Sequence, residues 1–143
     1  MSRATILACW VVLLGTISAL GWLFWSLLWP FHLLESFDGA WDIVNKDKVV
    51  HYGESALIRW RGCRNTDLPA RIDTELQGAI VISLPSRVST RAPGCQTVGF
   101  PIVFVGPEIP TGRYKARIII SFVVNPLRTV KYIYETDEFQ VVR

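Results

Sequence analysis

A chain of 143 residues has room for one domain and an appendage, because domains most often run to about 100 to 150 residues. Half of its residues are hydrophobic, yet every acidic residue lies at Glu35 or later, so the totals average two different materials. Fifteen basic and twelve acidic residues give a formal charge of +3 spread over both signs, which excludes the dense basic stripe a nucleic-acid binder uses to neutralise phosphates.

The first element is apolar. From Ala4 to Leu34 no residue carries a formal charge, 31 positions in all. As a helix this run would measure roughly 46 Å, against about 30 Å for the hydrocarbon core of a bilayer. It exceeds the apolar core of a signal peptide, about 7 to 15 residues, and no small-x-small cleavage site follows it, so it is expected to stay on the protein as an anchor. Ile6 to Cys9 superficially suggests a lipoprotein acylation site but lies too near Met1 for a full apolar region to precede the cysteine. Pro30 removes a backbone donor and crowds the carbonyl of Ser26, so the helix should end near there. The spacing predicts a short start at 1–4, a transmembrane helix over 5–29, regular from about Thr5 to Leu28, and an interfacial linker over 30–39. Trp22, Trp25 and Trp29 share one side of that helix and suit the membrane boundary. His32 is expected there too, its polar tip among headgroups. Gly15 and Ala19 make a small-xxx-small pair that would let two copies of the helix associate.

Arg3 and the terminal amine mark the first side of the span. The positive-inside rule leans toward a cytoplasmic amino terminus, with the domain periplasmic or extracellular. Cys63 and Cys95 lean the same way. They are the only cysteines outside the apolar run, and an even pair in a short domain is expected to bridge in an oxidising compartment, the alternative being two free buried thiols. Cys9 is expected to be a small packing residue at membrane depth.

Beyond Gly39 the pattern becomes period two, the mark of half-buried strands. Tyr114, Ala116, Ile118, Ile120, Phe122 and Val124 alternate with Lys115, Arg117 and Ser121. Ala70, Ile72, Thr74 and Leu76 alternate with Arg71, Asp73 and Glu75, and Ala56, Ile58 and Trp60 with Leu57, Arg59 and Arg61. Strands are predicted near 41–45, 49–52, 55–61, 71–76, 79–84, 99–105, 113–124 and 129–142, the last with a break at Thr136 and Asp137. Seven or eight strands without a helical period, over 40–143, predict an all-β antiparallel sandwich.

Ile109 to Val124, IPTGRYKARIIISFVV, resembles the turn and penultimate strand of immunoglobulin-like and fibronectin-type sandwiches. The resemblance implies that Tyr114 is a corner tyrosine whose hydroxyl bonds back along the chain. The cysteines depart from antibody domains: Trp60 precedes Cys63, and Cys63 has the outward parity of Arg59 and Arg61 unless Gly62 makes a bulge. A bridge here is expected to staple one end of the sandwich rather than pin its core. One anchor followed by one sandwich also resembles, in layout, small single-pass membrane proteins of tailed bacteriophages and prophages.

Catalytic constellations are not expected. A nucleophile needs a base, and His51 reads as a strand residue. The cysteine and histidine count gives no set with zinc spacing, and no phosphate-cradling glycine loop or nucleophile elbow occurs. Asp73 and Glu75, beside Arg71, read as a charge-balanced face rather than paired catalytic carboxylates. No cofactor or metal is expected. Arg59, Arg61, Arg64, Arg87 and Arg91 would be drawn to one end of the sandwich by a Cys63–Cys95 bridge, and arginine forks suit carboxylates and phosphates. The five basic residues from Arg113 to Lys131 form a second basic stretch. The sequence thus reads as a membrane-anchored, non-catalytic interaction module of the cell envelope, phage- or prophage-encoded, whose partners are membrane lipid and a protein or anionic envelope component. A lysis accessory and an envelope enzyme are the alternatives.

Overall fold

The computed structural model describes residues 3–28 and 33–143. Trp29, Pro30 and His32, to which the sequence assigns interfacial roles, lie outside the described residues. Helix α1, Arg3–Leu28, has a mean hydropathy of 2.1 over its most apolar stretch and is long and apolar enough to cross a membrane. Within it the Thr16 hydroxyl donates to the carbonyls of Leu13 at 2.8 Å and Val12 at 3.1 Å, a local satisfaction that suits a hydrocarbon surrounding. Trp22 and Trp25 are exposed on its surface.

Strand β1, Glu35–Ile43, begins inside the stretch expected to be an interfacial linker. The linker is therefore shorter than the sequence implied. Glu35, Phe37, Trp41 and Ile43 share the inward parity, but Gly39, at φ +86°, and a register shift between Asp38 and Asp42 interrupt the ladder. That bulge hid the first half of the strand.

The other strands are β2 (Val49–His51), β3 (Ser55–Arg64), β4 (Ala70–Gln77), β5 (Val81–Ser83), β6 (Arg87–Ser89), β7 (Gly94–Phe104), β8 (Gly112–Asn125), β9 (Arg128–Glu135) and β10 (Phe139–Val142). They form two sheets, β1-β3-β7 and β2-β10-β8-β4-β5, with β6 added to β4 and β9 to β8. Lettered in chain order, β1, β3 and β7 correspond to A, B and E, and β10, β8 and β4 to G, F and C, the partition of an immunoglobulin-like sandwich. Strand β2 runs parallel to its neighbour β10, and an isolated parallel bridge joins Trp41 of β1 to Thr136.

The core lies between the sheets. Ala56, Ile58 and Trp60 of β3 and Tyr114, Ala116, Ile118, Ile120 and Phe122 of β8 are all buried, so the alternation read from the sequence is the alternation of burial. The break in the last strand falls at Thr136 and Asp137. There Thr136 keeps the ladder alive by exchanging bonds with Ala116, through its amide at 2.9 Å and its hydroxyl at 3.0 Å. Tyr114 closes the corner, its hydroxyl donating to the Pro110 carbonyl at 2.9 Å.

Cys63 and Cys95 are bonded. They stand opposite each other on the adjacent strands β3 and β7, so the bridge lies within one sheet rather than between two. Gly62 makes no bulge, because its pairings to Phe37 and Gln96 are both in step. A side chain there would meet the Ser36 carbonyl at 2.7 Å and the Phe37 ring at 2.9 Å, so this strand crossing demands glycine. The strand predicted near 99–105 begins earlier, because the ladder with Cys63 and Arg64 starts β7 at Gly94 and includes Cys95.

Candidate functional site

The five arginines grouped by the sequence do not form one surface. Arg59 and Arg61 project from the exposed outer face of β3, opposite Asp42 and Asp38 of β1 in the ladder, where cross-strand charges offset each other. Arg64 has Trp60's parity and points inward, 1% exposed. Arg64 is therefore no surface ligand. Its guanidinium donates to the carbonyls of Thr66 at 3.2 Å, Leu68 and Ser89 at 3.5 Å and to the Ser89 hydroxyl at 3.3 Å, and it stands 5.3 Å from the centre of the Phe122 ring. Arginine can be buried in this way because its fork meets several acceptors at once.

Arg64, Arg87 and Arg91 nevertheless meet around one cleft of about 220 Å³ between the two sheets. Its walls are apolar, with Trp41, Trp60, Val98 and Phe100 on one side and Ile72, Val88 and Ile120 on the other. Trp41 and Trp60 stack in parallel with ring centres 4.5 Å apart. Phe100 meets Trp60 edge-on at 4.9 Å and carries the Arg87 guanidinium over its face at 4.2 Å. Arg87 also donates to the Pro101 carbonyl at 3.3 Å, and burial lowers its pKa.

One acid faces these cations. Glu35, paired with Arg64 in the β1–β3 register, accepts a bond from Arg91 at 3.3 Å, and both side chains are largely withdrawn from solvent. Burial raises the Glu35 pKa, against the lowering effect of Arg91 and Arg64. Tyr134, stacked on Trp41, is also pushed up, first by burial and then by Glu35 and Tyr132. Three guanidinia and one carboxylate leave a formal excess of two positive charges around the cleft.

The donors outnumber the acceptors as well. The Nε1 atoms of Trp41 and Trp60 and the Nε of Arg91 are buried without a protein acceptor, and all three residues line the cleft. A buried donor with no partner costs about 1 to 3 kcal/mol. Apolar walls, surplus positive charge and orphaned N–H groups together suit an anionic group on an apolar stem.

Elsewhere, Arg71 pairs with Asp73 at 3.0 Å and Arg117 with Glu75 at 3.9 Å, so the face carrying Asp73 and Glu75 is charge-balanced. The second basic stretch runs the length of β8 into β9, and Arg113 at its far end faces Glu138 at 3.6 Å. Among the described residues no group of His, Cys, Asp and Glu side chains is placed to hold a metal ion. Sequence reasoning missed Glu35, Trp41 and Phe100. The inward parity of β1 was the signal for the first two, and Gly39 obscured it. No protein-family model matches this chain, and no curated protein matches it.

Proposed function

We propose that this protein is a membrane-anchored, non-catalytic binding module whose outer sandwich captures an anionic partner in the cleft between its sheets. The single observation that carries this reading is the surplus of buried donors there, Trp41 Nε1, Trp60 Nε1 and Arg91 Nε, beside three arginines and one acid. Such a set holds an anion. Glu35, the acid of the cleft, is committed to Arg91, which suits it to orienting a guanidinium rather than to moving protons. The helix supplies the tether. The disulfide supports the sidedness proposed here, a periplasmic or extracellular domain with a cytoplasmic amino terminus, since such bonds persist in oxidising compartments.

The test is a fluorescence titration of the full chain in detergent with phenylacetate, an anion with a flat apolar body. Saturable change in tryptophan emission is expected, weakened about tenfold, or about 1.4 kcal/mol, by Trp60→Phe, which removes the indole N–H and little volume. Arg59→Ser with Arg61→Ser should leave it intact. An unsaturable response, or a loss that follows Arg59 and Arg61 instead of Trp60, refutes the cleft as the site.

A further inference from the structure

The helix and the sandwich touch at a place the sequence explains. In an α-helix the carbonyl of residue 26 is bonded by the amide of residue 30. Residue 30 is proline, which has no amide hydrogen. The Ser26 carbonyl instead receives the side-chain amide of Asn125, at 2.7 Å, and Ser26 is the one helix residue that is buried. Asn125 ends β8, and two residues, Pro126 and Leu127, separate it from Arg128, which opens β9. Its Oδ1 accepts from the Leu127 amide at 2.9 Å, so a single side chain shapes the hairpin tip and caps the helix.

The depth of that contact follows from lengths. A helix of 26 residues is about 39 Å long, about 9 Å more than the hydrocarbon core, so a centred span leaves about three residues beyond each boundary. The outer boundary then falls at Trp25 and Ser26. The tip bonded to Ser26 sits at the same level, and it presents Val123, 65% exposed, and Leu127, 54% exposed. Leu33, 61% exposed, is tied to the same end through its carbonyl, which accepts from Asn65 at 3.0 Å. Three apolar side chains would therefore meet the boundary layer, with Arg128 and Lys131 just behind the tip, where basic side chains favour anionic headgroups.

We infer that the β8–β9 hairpin is a second membrane contact, seated in the acyl–headgroup boundary beside the outer end of the helix. The seat rests on the reading that α1 spans the bilayer. It fixes the sandwich upright on the membrane, with the strand ends that carry Arg64, the Cys63–Cys95 bridge and Phe122 toward the lipid and Gln77 and Gly112 away from it.

Depth-dependent quenching tests it. The full chain, with Cys9→Ser and a single fluorophore attached through Leu127→Cys, is reconstituted in phosphatidylcholine vesicles carrying a quencher on the lipid near the headgroup. A second preparation carries the fluorophore through Val81→Cys, exposed at the opposite end of the sandwich. The Leu127 label is expected to be quenched several-fold more than the Val81 label. Asn125→Asp keeps the acceptor for Leu127, removes the donor to Ser26, and should lower that quenching. Equal quenching of the two labels on vesicle-bound protein overturns the seat alone, and full quenching in Asn125→Asp overturns the capping role. A chain that stays in the supernatant when vesicles are pelleted overturns the spanning helix and the seat together.

Discussion

Arg64→Met separates an internal arginine from a surface one. Methionine keeps an unbranched apolar stem against Phe122 but removes every donor from a site that is 1% exposed. The carbonyls of Leu68, Thr66 and Ser89 lose the guanidinium that bonds them, and Glu35 loses one of the two cations that favour its ionised form. Hydrogen bonds to a charged group contribute about 1.5 to 3 kcal/mol each and do not add independently. Removing one partner of a buried ionic set costs about 3 to 5 kcal/mol, and that range is the expected loss here. It is a large share of the roughly 5 to 15 kcal/mol that holds a domain folded.

For a domain of about 100 residues each kcal/mol moves the melting temperature by roughly 4 to 8 °C, so Arg64→Met should melt at least about 12 °C below the wild type. The assay is thermal denaturation of the full chain in detergent, followed by near-ultraviolet circular dichroism, which reports the stacked Trp41 and Trp60. Arg61→Met, on the exposed face of the same strand, should stay within about 0.5 kcal/mol of the wild type. If the two variants melt together, Arg64 does not hold the Thr66–Leu68 loop and β6 to the sheet, and the assignment is wrong.

Two further outcomes follow from the same end of the sandwich. Reducing the Cys63–Cys95 bond, which closes a sequence separation of 32 residues, should lower stability by about 3 to 4 kcal/mol in the chain-entropy account. Urea denaturation with and without reductant measures it, and a loss below about 1 kcal/mol would mean that the β3–β7 ladder alone fixes those strand ends. Glu35, whose pKa is raised from its ordinary 4.5 by burial, binds its proton more tightly folded than unfolded. Its contribution to stability is therefore full below pH 4.5 and is lost as pH rises through its folded value. Stability of the wild type relative to Glu35→Gln should accordingly rise as pH falls from 8 toward 4.5. A difference between the two proteins that does not change over that interval refutes the linkage.

Much of the architecture was written in local pattern. A charge-free run exceeding a bilayer's thickness made the helix legible, and five buried residues at alternate positions made β8 legible, because both are rules of period that need no knowledge of neighbours. The pairing of β1 with β3, the brief strand β6 and the first half of β7 were not legible. Residues 94–97 are polar and exposed, so β7 begins there only because Cys63 and Arg64 stand opposite.

The arginines show where that boundary runs. Parity along β3 distinguishes Arg64 from Arg59 and Arg61, since Arg64 is four residues from Trp60 and they are one residue from it. Counting charges near a cysteine erased that distinction, and counting alternate positions would have kept it. Parity alone could not say that Arg64 would face Glu35 across a strand pair, nor that Arg87 and Arg91 would arrive from the other sheet and the β6–β7 connection. Those placements depend on which strands become neighbours, and in a sandwich the neighbours are set by contacts far apart in the chain. The cleft therefore belongs to the topology: β1 brings Glu35, β3 brings Trp60 and Arg64, and the β6–β7 segment brings Arg87 and Arg91. A change at Gly62, which lets Phe37 of β1 lie over β3, would disturb Glu35 and Arg64 together while touching neither.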